Sequence, residues 1–259
     1  MDPIAFHLGV FSIRWYGVMA ALGFIAAVFI ALKNRKFADM NSDQIYNLLL
    51  VCMLSGVGGA RLFYVIEYKE ELQGSFWEIF RIDHGGLVFY GGFICCMIAL
   101  TIYCRINRLN LMRVLSLLGP SLSLGHVFGR VGCFINGCCF GTPTNASWGF
   151  TYPSGSDPDR WFPGQALHPV QLYEAGGNLL IFAILQYLLP KSKGGQIAGL
   201  YMTLYGTMRM VDEFFRGDYE QHYLGIFTPA QLICFLVIPL GIFIFIRSGR
   251  NNKNVNTAH

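Results

Sequence analysis

Long apolar runs dominate this sequence, and seven of them are close to the ~20 residues with which an α-helix crosses a bilayer. Only 13% of the 259 residues are charged and 54% are hydrophobic, whereas an ordinary soluble domain has roughly 25% charged residues. A soluble domain of this size could not cover its surface with so little charge. The sequence therefore predicts an all-α, polytopic membrane protein. The formal charge of +4 is too small and too scattered to indicate nucleic-acid binding.

The apolar runs predict seven transmembrane helices. Lys and Arg are concentrated after the first, third, fifth and seventh run, and short cytoplasmic loops carry this excess. We therefore expect an external (periplasmic) N-terminus and a cytoplasmic C-terminus. The predicted spans are 15–32, 45–66, 86–104, 111–135, 170–190, 196–215 and 226–246.

The spans are expected to form a single catalytic domain, 1–247, followed by a polar cytoplasmic tail, 248–259. The longest stretch between spans, about 136–169, is rich in Pro, Gly and aromatic residues. Amphipathic rings sit well at headgroup depth, so this stretch predicts an external, interfacial lid. An irregular connector without a role is the alternative.

Ionisable side chains inside predicted spans mark functional candidates, because they are costly in lipid unless paired or hydrated. Arg61 lies in span two and Arg130 at the outer end of span four. Tyr205, Arg209 and Glu213 in span six are four residues apart, which places them on one helical face. With the expected topology, these groups face one water-accessible cavity in the outer half of the membrane. In span five, Gln171, Glu174 and Asn178 are three and four residues apart and also share one helical face.

A purely structural alternative is that Arg130 pairs with Glu174 and Arg209 with Glu213, holding the helices together. Glycines around Arg130 favour a function, since they would weaken a structural helix but let the backbone approach a headgroup closely. A guanidinium fork matches a phosphate. The expected ligand is an anionic phospholipid that enters from the outer leaflet.

The segment HGGLVFYGG (84–92) opens span three on the same side. It brings His84 and Tyr90 to the depth of the arginines, where either could handle a proton. Close helix packing by small residues is the alternative.

Three of the eight cysteines, Cys133, Cys138 and Cys139, cluster at the outer end of span four. A metal site would need further ligands at suitable spacing, which the sequence does not supply, so we expect no metal. A disulfide or redox role and simple packing remain open.

Several ordered segments carry a family resemblance that extends over almost the whole chain. They resemble segments of the bacterial phosphatidylglycerol–prolipoprotein diacylglyceryl transferase family, whose members begin lipoprotein maturation at the inner membrane. The resemblance implies transfer of diacylglyceryl from phosphatidylglycerol to the lipobox cysteine of a prolipoprotein, without a cofactor. The products are a thioether and glycerol phosphate. The segments are GRVGCFINGCCFG, HGGLVFYGG, HPVQLYE and YGTMRMVDEFFR.

By position, the resemblance implies that Arg130 and Arg209 engage phosphatidylglycerol, with Tyr205 and Glu213 as companions of Arg209. Other residues fall on motif positions of the lipid site: Tyr16, Asn136, Gly141 and, in a less specific element, Arg61. In departure from the pattern, Tyr90 stands where some members have a histidine proposed as base, and Cys133 and Cys138 where some have Asn and Glu.

The expected reaction is attack of a thiolate on the glyceryl carbon next to the phosphate. Arginines aimed at that phosphate would stabilise the departing group. Tyr90 is a poor base at neutral pH, since a tyrosine has a pKa near ~10. His84, His168 and Glu213 remain alternatives.

Three rival functions stay open. A transporter or channel would require polar groups that continue into the cytoplasmic half, and spans one, three and seven show almost none. A thiol-redox membrane protein would use the three clustered cysteines. A transferase could also act on a different external acceptor.

Overall fold

The computed structural model describes residues 4–8, 11–68, 86, 88–218 and 227–256, and this part of the chain is mostly helical. Short 3-10 turns occur at Arg35–Ala38, Leu189–Lys191 and Glu213–Phe215. The α-helices are α1 (Trp15–Asn34), α2 (Ser42–Glu67), α3 (Phe89–Ile106), α4 (Leu111–Asn136), α5 (Asp157–Trp161), α6 (Val170–Leu188), α7 (Gln196–Asp212) and α8 (Pro229–Asn256). The strands are β1 (Ile4–Leu8), β2 (Phe11–Arg14), β3 (Phe150–Thr151) and β4 (Ala166–Leu167).

Six of these helical segments are long and apolar enough to cross a membrane. Large apolar side chains on them point outward; Ile25 is 63% exposed, Phe29 65% and Leu236 74%. Such exposure is unfavourable in water and suits hydrocarbon, so the prediction of a helical, multi-pass membrane protein is confirmed. The segments are Trp15–Ala38, Ser42–Glu67, Phe89–Ile106, Leu111–Asn136, Val170–Lys191 and Pro229–Arg250.

The predicted sixth span, 196–215, differs from the other six. Helix α7 has 17 residues and is followed by the turn Glu213–Phe215. At 1.5 Å per residue the helix is about 26 Å long, somewhat short of the ~30 Å hydrocarbon core. The count of seven spans therefore stays a prediction. The two short antiparallel strand pairs, β1–β2 and β3–β4, are additions to the expected all-α fold.

Within the predicted domain 1–247, residues 34–114 form one compact unit. Here α2 begins with a capping box, in which Asn41 and Gln44 exchange side-chain and backbone hydrogen bonds. Gly92 of α3 packs directly on α2, since a Cβ added to it would lie 2.7 Å from the Gly56 carbonyl oxygen. A Cβ added to Gly91 would likewise lie 2.7 Å from the Gly59 carbonyl oxygen. Close helix packing by small residues is thus confirmed for Gly91 and Gly92.

The other compact unit contains residues 1–33 and 115–259. In it, α7 packs against α6 and α8. The contact between α7 and α8 is backbone against backbone at Gly199. A Cβ at this position would lie 2.5 Å from the Gly241 carbonyl oxygen and 2.6 Å from the Phe245 nitrogen. Glycine is thus required for the spacing of these two helices.

The segment 136–169 is folded rather than an irregular connector. Its core consists of buried Phe140, Tyr152 and Leu167, and strands β3 and β4 pair within it. Asp159 of α5 accepts hydrogen bonds from the backbone N–H groups of Gly155 (2.9 Å) and Gly164 (3.0 Å). These two bonds close the loop around α5.

Gly199→Ala is expected to destabilise the protein by about 1–3 kcal/mol, because the added methyl group must push α7 away from α8. Thermal unfolding of the purified protein in detergent measures this. Gly176→Ala in α6 is the matched control, since no atom lies within 4 Å of a Cβ there and alanine is the better helix former. Equal melting temperatures for the two variants would contradict the proposed contact.

Hydrogen bonds from the Gly155 and Gly164 N–H groups lower the pKa of Asp159 below its ordinary value. A lowered pKa in the folded state stabilises the loop above the unfolded value of about 3.9. This contribution is lost as the pH falls through the folded value. Hydrogen exchange, corrected for intrinsic rates, is therefore expected to show that residues 155–164 lose protection in this range. Asp159→Asn should weaken the protection at neutral pH and remove its pH dependence, and a wild-type loop equally protected at pH 3 and 7 would contradict this.

Candidate functional site

A single buried carboxylate joins three helices at the predicted outer end of the bundle. The side chain of Glu174 in α6 is 1% exposed. Its Oε2 lies 2.6 Å from Nε of Arg130 in α4, and its Oε1 accepts a 3.1 Å hydrogen bond from an Nη of Arg209 in α7. A buried charge of this kind is tolerated only when it is well paired, so Glu174 fixes both guanidiniums.

Arg209 has a second acidic partner, because another of its Nη atoms lies 2.6 Å from a carboxylate oxygen of Glu213. Both ion pairs of the structural alternative, Arg130–Glu174 and Arg209–Glu213, are therefore present. The arginines contribute to holding the helices together.

Pairing leaves the two guanidiniums accessible. The Arg130 side chain is 21% exposed and that of Arg209 14%, against 1% for Glu174. The carboxylate thus lies deeper than the arginines that it positions. A guanidinium also has more N–H donors than one carboxylate oxygen can accept. Both arginines can therefore bind an anion on their accessible side.

Sequence reasoning missed His126, which lies one helical turn before Arg130 on α4. Its ring stacks on that of Tyr205, with 5.2 Å between centroids, and its Nδ1 lies 3.4 Å from the Tyr201 hydroxyl. The ring of Tyr205 also stacks on that of Tyr201, with 5.6 Å between centroids. The four-residue spacing that identified Tyr205 and Arg209 would also have found His126.

The predicted polar face of α6 is confirmed, since Gln171, Glu174 and Asn178 are all buried. Gln171 donates hydrogen bonds to the Cys138 carbonyl oxygen (2.7 Å) and the Tyr152 hydroxyl (2.9 Å). Burial raises the pKa of Tyr152 to about 12, so that its hydroxyl stays protonated. Gln171 therefore connects α6 with segment 136–169.

Gly141 serves backbone packing. Its N–H donates to the His168 carbonyl oxygen at 3.1 Å, and it forms a β-bridge with Arg216. A Cβ here would lie 2.8 Å from the Phe215 carbonyl oxygen. Arg216 is held by both carboxylate oxygens of Asp218, at 2.9 and 2.6 Å. A side chain at position 141 would separate these strands of backbone.

Two other predicted site residues lie beside the end of α4. Asn136 is its last residue, two positions before Cys138. The ring of Tyr16, at the start of α1, lies 3.5 Å from the position of a Cβ on Gly132. Both therefore belong to the same compact unit as Arg130.

Four predicted residues remain: Arg61, Tyr90, His84 and His168. Arg61 and Tyr90 belong to the unit of residues 34–114. There, an Nη of Arg61 donates to the Gly86 carbonyl oxygen at 3.0 Å, and Tyr90 is half-exposed. His84 lies outside the described residues. His168 has its Nδ1 3.1 Å from the Tyr173 hydroxyl.

Comparison with known proteins gives a match over nearly the whole chain. The model of the family Prolipoprotein diacylglyceryl transferase matches residues 3–247. The phosphatidylglycerol–prolipoprotein diacylglyceryl transferase of Finegoldia magna is 34% identical over 249 residues, 95% of this chain and 96% of the relative. Proteins of the same name are 34% identical over 248 residues in Clostridium tetani (95% and 97%) and 35% over 244 residues in Clostridium botulinum (94% and 95%).

Glu174→Gln is expected to destabilise the protein by about 3 kcal/mol, because it leaves two partly buried guanidiniums without their shared carboxylate. Chemical or thermal unfolding in detergent checks this. Asp157→Asn is the control, since it breaks an ion pair with Arg160 in which both side chains are more than 70% exposed and should cost less than about 1 kcal/mol. A Glu174 variant as stable as the control would show that the shared carboxylate is not a structural centre.

Proposed function

The chain belongs to the prolipoprotein diacylglyceryl transferase family, and we propose that it moves the diacylglyceryl group of phosphatidylglycerol onto prolipoproteins, the first step of lipoprotein maturation. Its relatives are named for this reaction and match it almost end to end. The family and the apolar helices make it a multi-pass enzyme of the bacterial inner membrane. Family membership favours transfer over the transport and thiol-redox alternatives.

The chemistry is a displacement at carbon. The sulfur of the prolipoprotein's lipobox cysteine attacks the glyceryl carbon that carries the phosphate, and the bond from this carbon to the phosphate oxygen breaks. A thioether forms and glycerol phosphate leaves with the electron pair. The thiol proton passes to a base or to solvent, so negative charge moves from sulfur to the leaving phosphate.

The observation that carries the proposed site is the placement of Arg130 and Arg209 around Glu174. The shared carboxylate holds two guanidiniums side by side, and both are more accessible than the carboxylate. Guanidiniums fixed in this way stabilise the charge that develops on the phosphate without reorganising during the reaction. Glu174 acts here as a positioning residue.

The other proposed lipid-binding residues have different kinds of support. Tyr205 stacks on His126, one helical turn before Arg130, whereas Tyr16 and Asn136 lie near the end of α4 that follows Arg130. Gly141 supports the site through its backbone. Arg61 is proposed from the sequence resemblance alone.

The base that takes up the thiol proton is proposed to be one of four residues: Tyr90, His84, His168 or Glu213. Glu213 lies in the arginine cluster through its ion pair with Arg209. A free thiol with a pKa near ~8.5 is already a few per cent ionised at neutral pH. Nearby guanidinium charge increases this fraction and reduces the need for a strong base.

The proposed topology has seven spans, an external N-terminus and a cytoplasmic C-terminus, with the site toward the outer leaflet. Helix α7 packs against α6 and α8, two segments that can span a membrane. Arg209 is paired with Glu174 and Glu213, and Asp212 is buried. Pairing and burial of this kind let a polar helix lie within the bilayer. The positive-inside distribution supports the orientation.

Arg130→Gln and Arg209→Gln are each expected to lower the rate of glycerol phosphate release by about 100-fold or more, because the leaving phosphate loses a charged donor. The Lys variants should keep part of the rate, since they keep the charge but lose the planar fork. The assay uses purified protein in detergent with phosphatidylglycerol and a lipobox peptide. Near wild-type release by the Gln variants would remove both arginines from the mechanism.

Two further variants separate catalysis from folding. In Arg130→Gln/Glu174→Gln the buried ion pair is replaced by neutral groups, so no charge is stranded and the fold is expected to recover. Release should stay low in this variant, and its recovery would mean that Arg130 is only structural. Arg160→Gln removes an exposed lid arginine, 71% exposed, and should leave release unchanged.

A further inference from the structure

Three cysteine thiols converge where α4 meets the lid segment 136–169. Cys133 lies in the last turn of α4, and Cys138 and Cys139 follow the end of the helix. Their three sulfur atoms lie within 4.8 Å of one another. All three are free thiols and partly accessible, so an ion can reach them.

The backbone enforces this convergence. Gly137 (φ 73°) and Cys139 (φ 61°) adopt the left-handed conformation, which costs roughly 1–2 kcal/mol for a residue other than glycine. The chain thereby turns back on the helix, and the Cys138 N–H donates to the Cys133 carbonyl oxygen at 3.1 Å. Because Cys139 is not a glycine, its surroundings must hold the turn in this conformation.

Groups on both sides hold the turn. Gln171 donates to the Cys138 carbonyl oxygen, and the Phe140 side chain is buried in the core of the lid. The thiols are therefore positioned by partners outside the cluster, as the ligands of metal sites usually are.

Metals bind cysteine as the thiolate, so a positively charged environment suits such a site. The Arg130 and Arg216 guanidiniums are near enough to interact electrostatically with Cys139.

We propose that Cys133, Cys138 and Cys139 form a binding site for a thiophilic divalent cation, with Zn²⁺ as the fitting ion and the fourth position open to solvent. Tetrahedral Zn–S bonds of about 2.3 Å place sulfur atoms about 3.8 Å apart, which the observed spread reaches with small side-chain rotations. This replaces the expectation that the chain binds no metal, which rested on the lack of a second ligand pair. Three ligands with an open position are a known zinc arrangement.

Convergence of three thiols, rather than two, favours a metal over a disulfide. A disulfide joins two sulfur atoms about 2 Å apart and would leave the third thiol unused. A bound ion would instead use all three and tie the lid to the helix that carries Arg130.

The test is metal binding by the full-length protein in detergent, with the purification tag removed and metals stripped by a chelator. Zn²⁺ is added against a chromophoric competitor, and bound zinc is counted by elemental analysis. We expect one ion per chain and protection of three thiols from maleimide. Co²⁺ should give a thiolate-to-cobalt absorption band.

Cys138→Ser and Cys139→Ser are expected to weaken Zn²⁺ binding by at least about 100-fold, since changes to outer-sphere partners alone commonly cost 10- to 100-fold. Cys95→Ser in α3 is the matched control and should keep one ion per chain. A wild-type protein that binds no more zinc than the Cys133→Ser/Cys138→Ser/Cys139→Ser variant would overturn the proposal. Isolation of a Cys133 disulfide that shows no zinc affinity after reduction would overturn it as well.

Discussion

The site depends on one electrostatic constraint, the sharing of a buried carboxylate by two arginines from different helices. A charge as deep as that of Glu174 must be neutralised locally. Because Arg130 and Arg209 meet this requirement together, α4, α6 and α7 are held at one fixed separation. The ion pairs that stabilise the bundle thus also place the two guanidiniums, and structural and catalytic roles do not exclude each other here.

Short-range periodicity explains which parts of the site could be predicted from the sequence. The spacing of Gln171, Glu174 and Asn178, three and then four residues, is a property of a single helix, and these residues do share one buried face. The partners of each charge are set by helices distant in the sequence. The sequence was therefore consistent with both ion pairing and phosphate binding by Arg130 and Arg209. The structure shows that the ion pairs with Glu174 and Glu213 exist.

Other features follow from tertiary contacts that leave little trace in the sequence. Strands β3 and β4 have two residues each, too few to show an alternation of apolar and polar residues. They form because the aromatic core of segment 136–169 brings them together. The left-handed backbone conformation of Cys139 could not be predicted either, since glycine is the residue that indicates such a conformation in a sequence. His126 precedes Arg130 by four residues, so spacing places it on the same helical face, but its contacts with Tyr201 and Tyr205 of α7 are visible only in the fold.

The two ends of segment 136–169 meet. Gly141 is hydrogen-bonded to His168, so the intervening chain leaves the membrane helices and returns to them at nearly the same point. The segment is therefore attached to the helices at one place, whatever its length. Insertions or deletions between these two residues would therefore leave the spacing of α4 and α6 undisturbed.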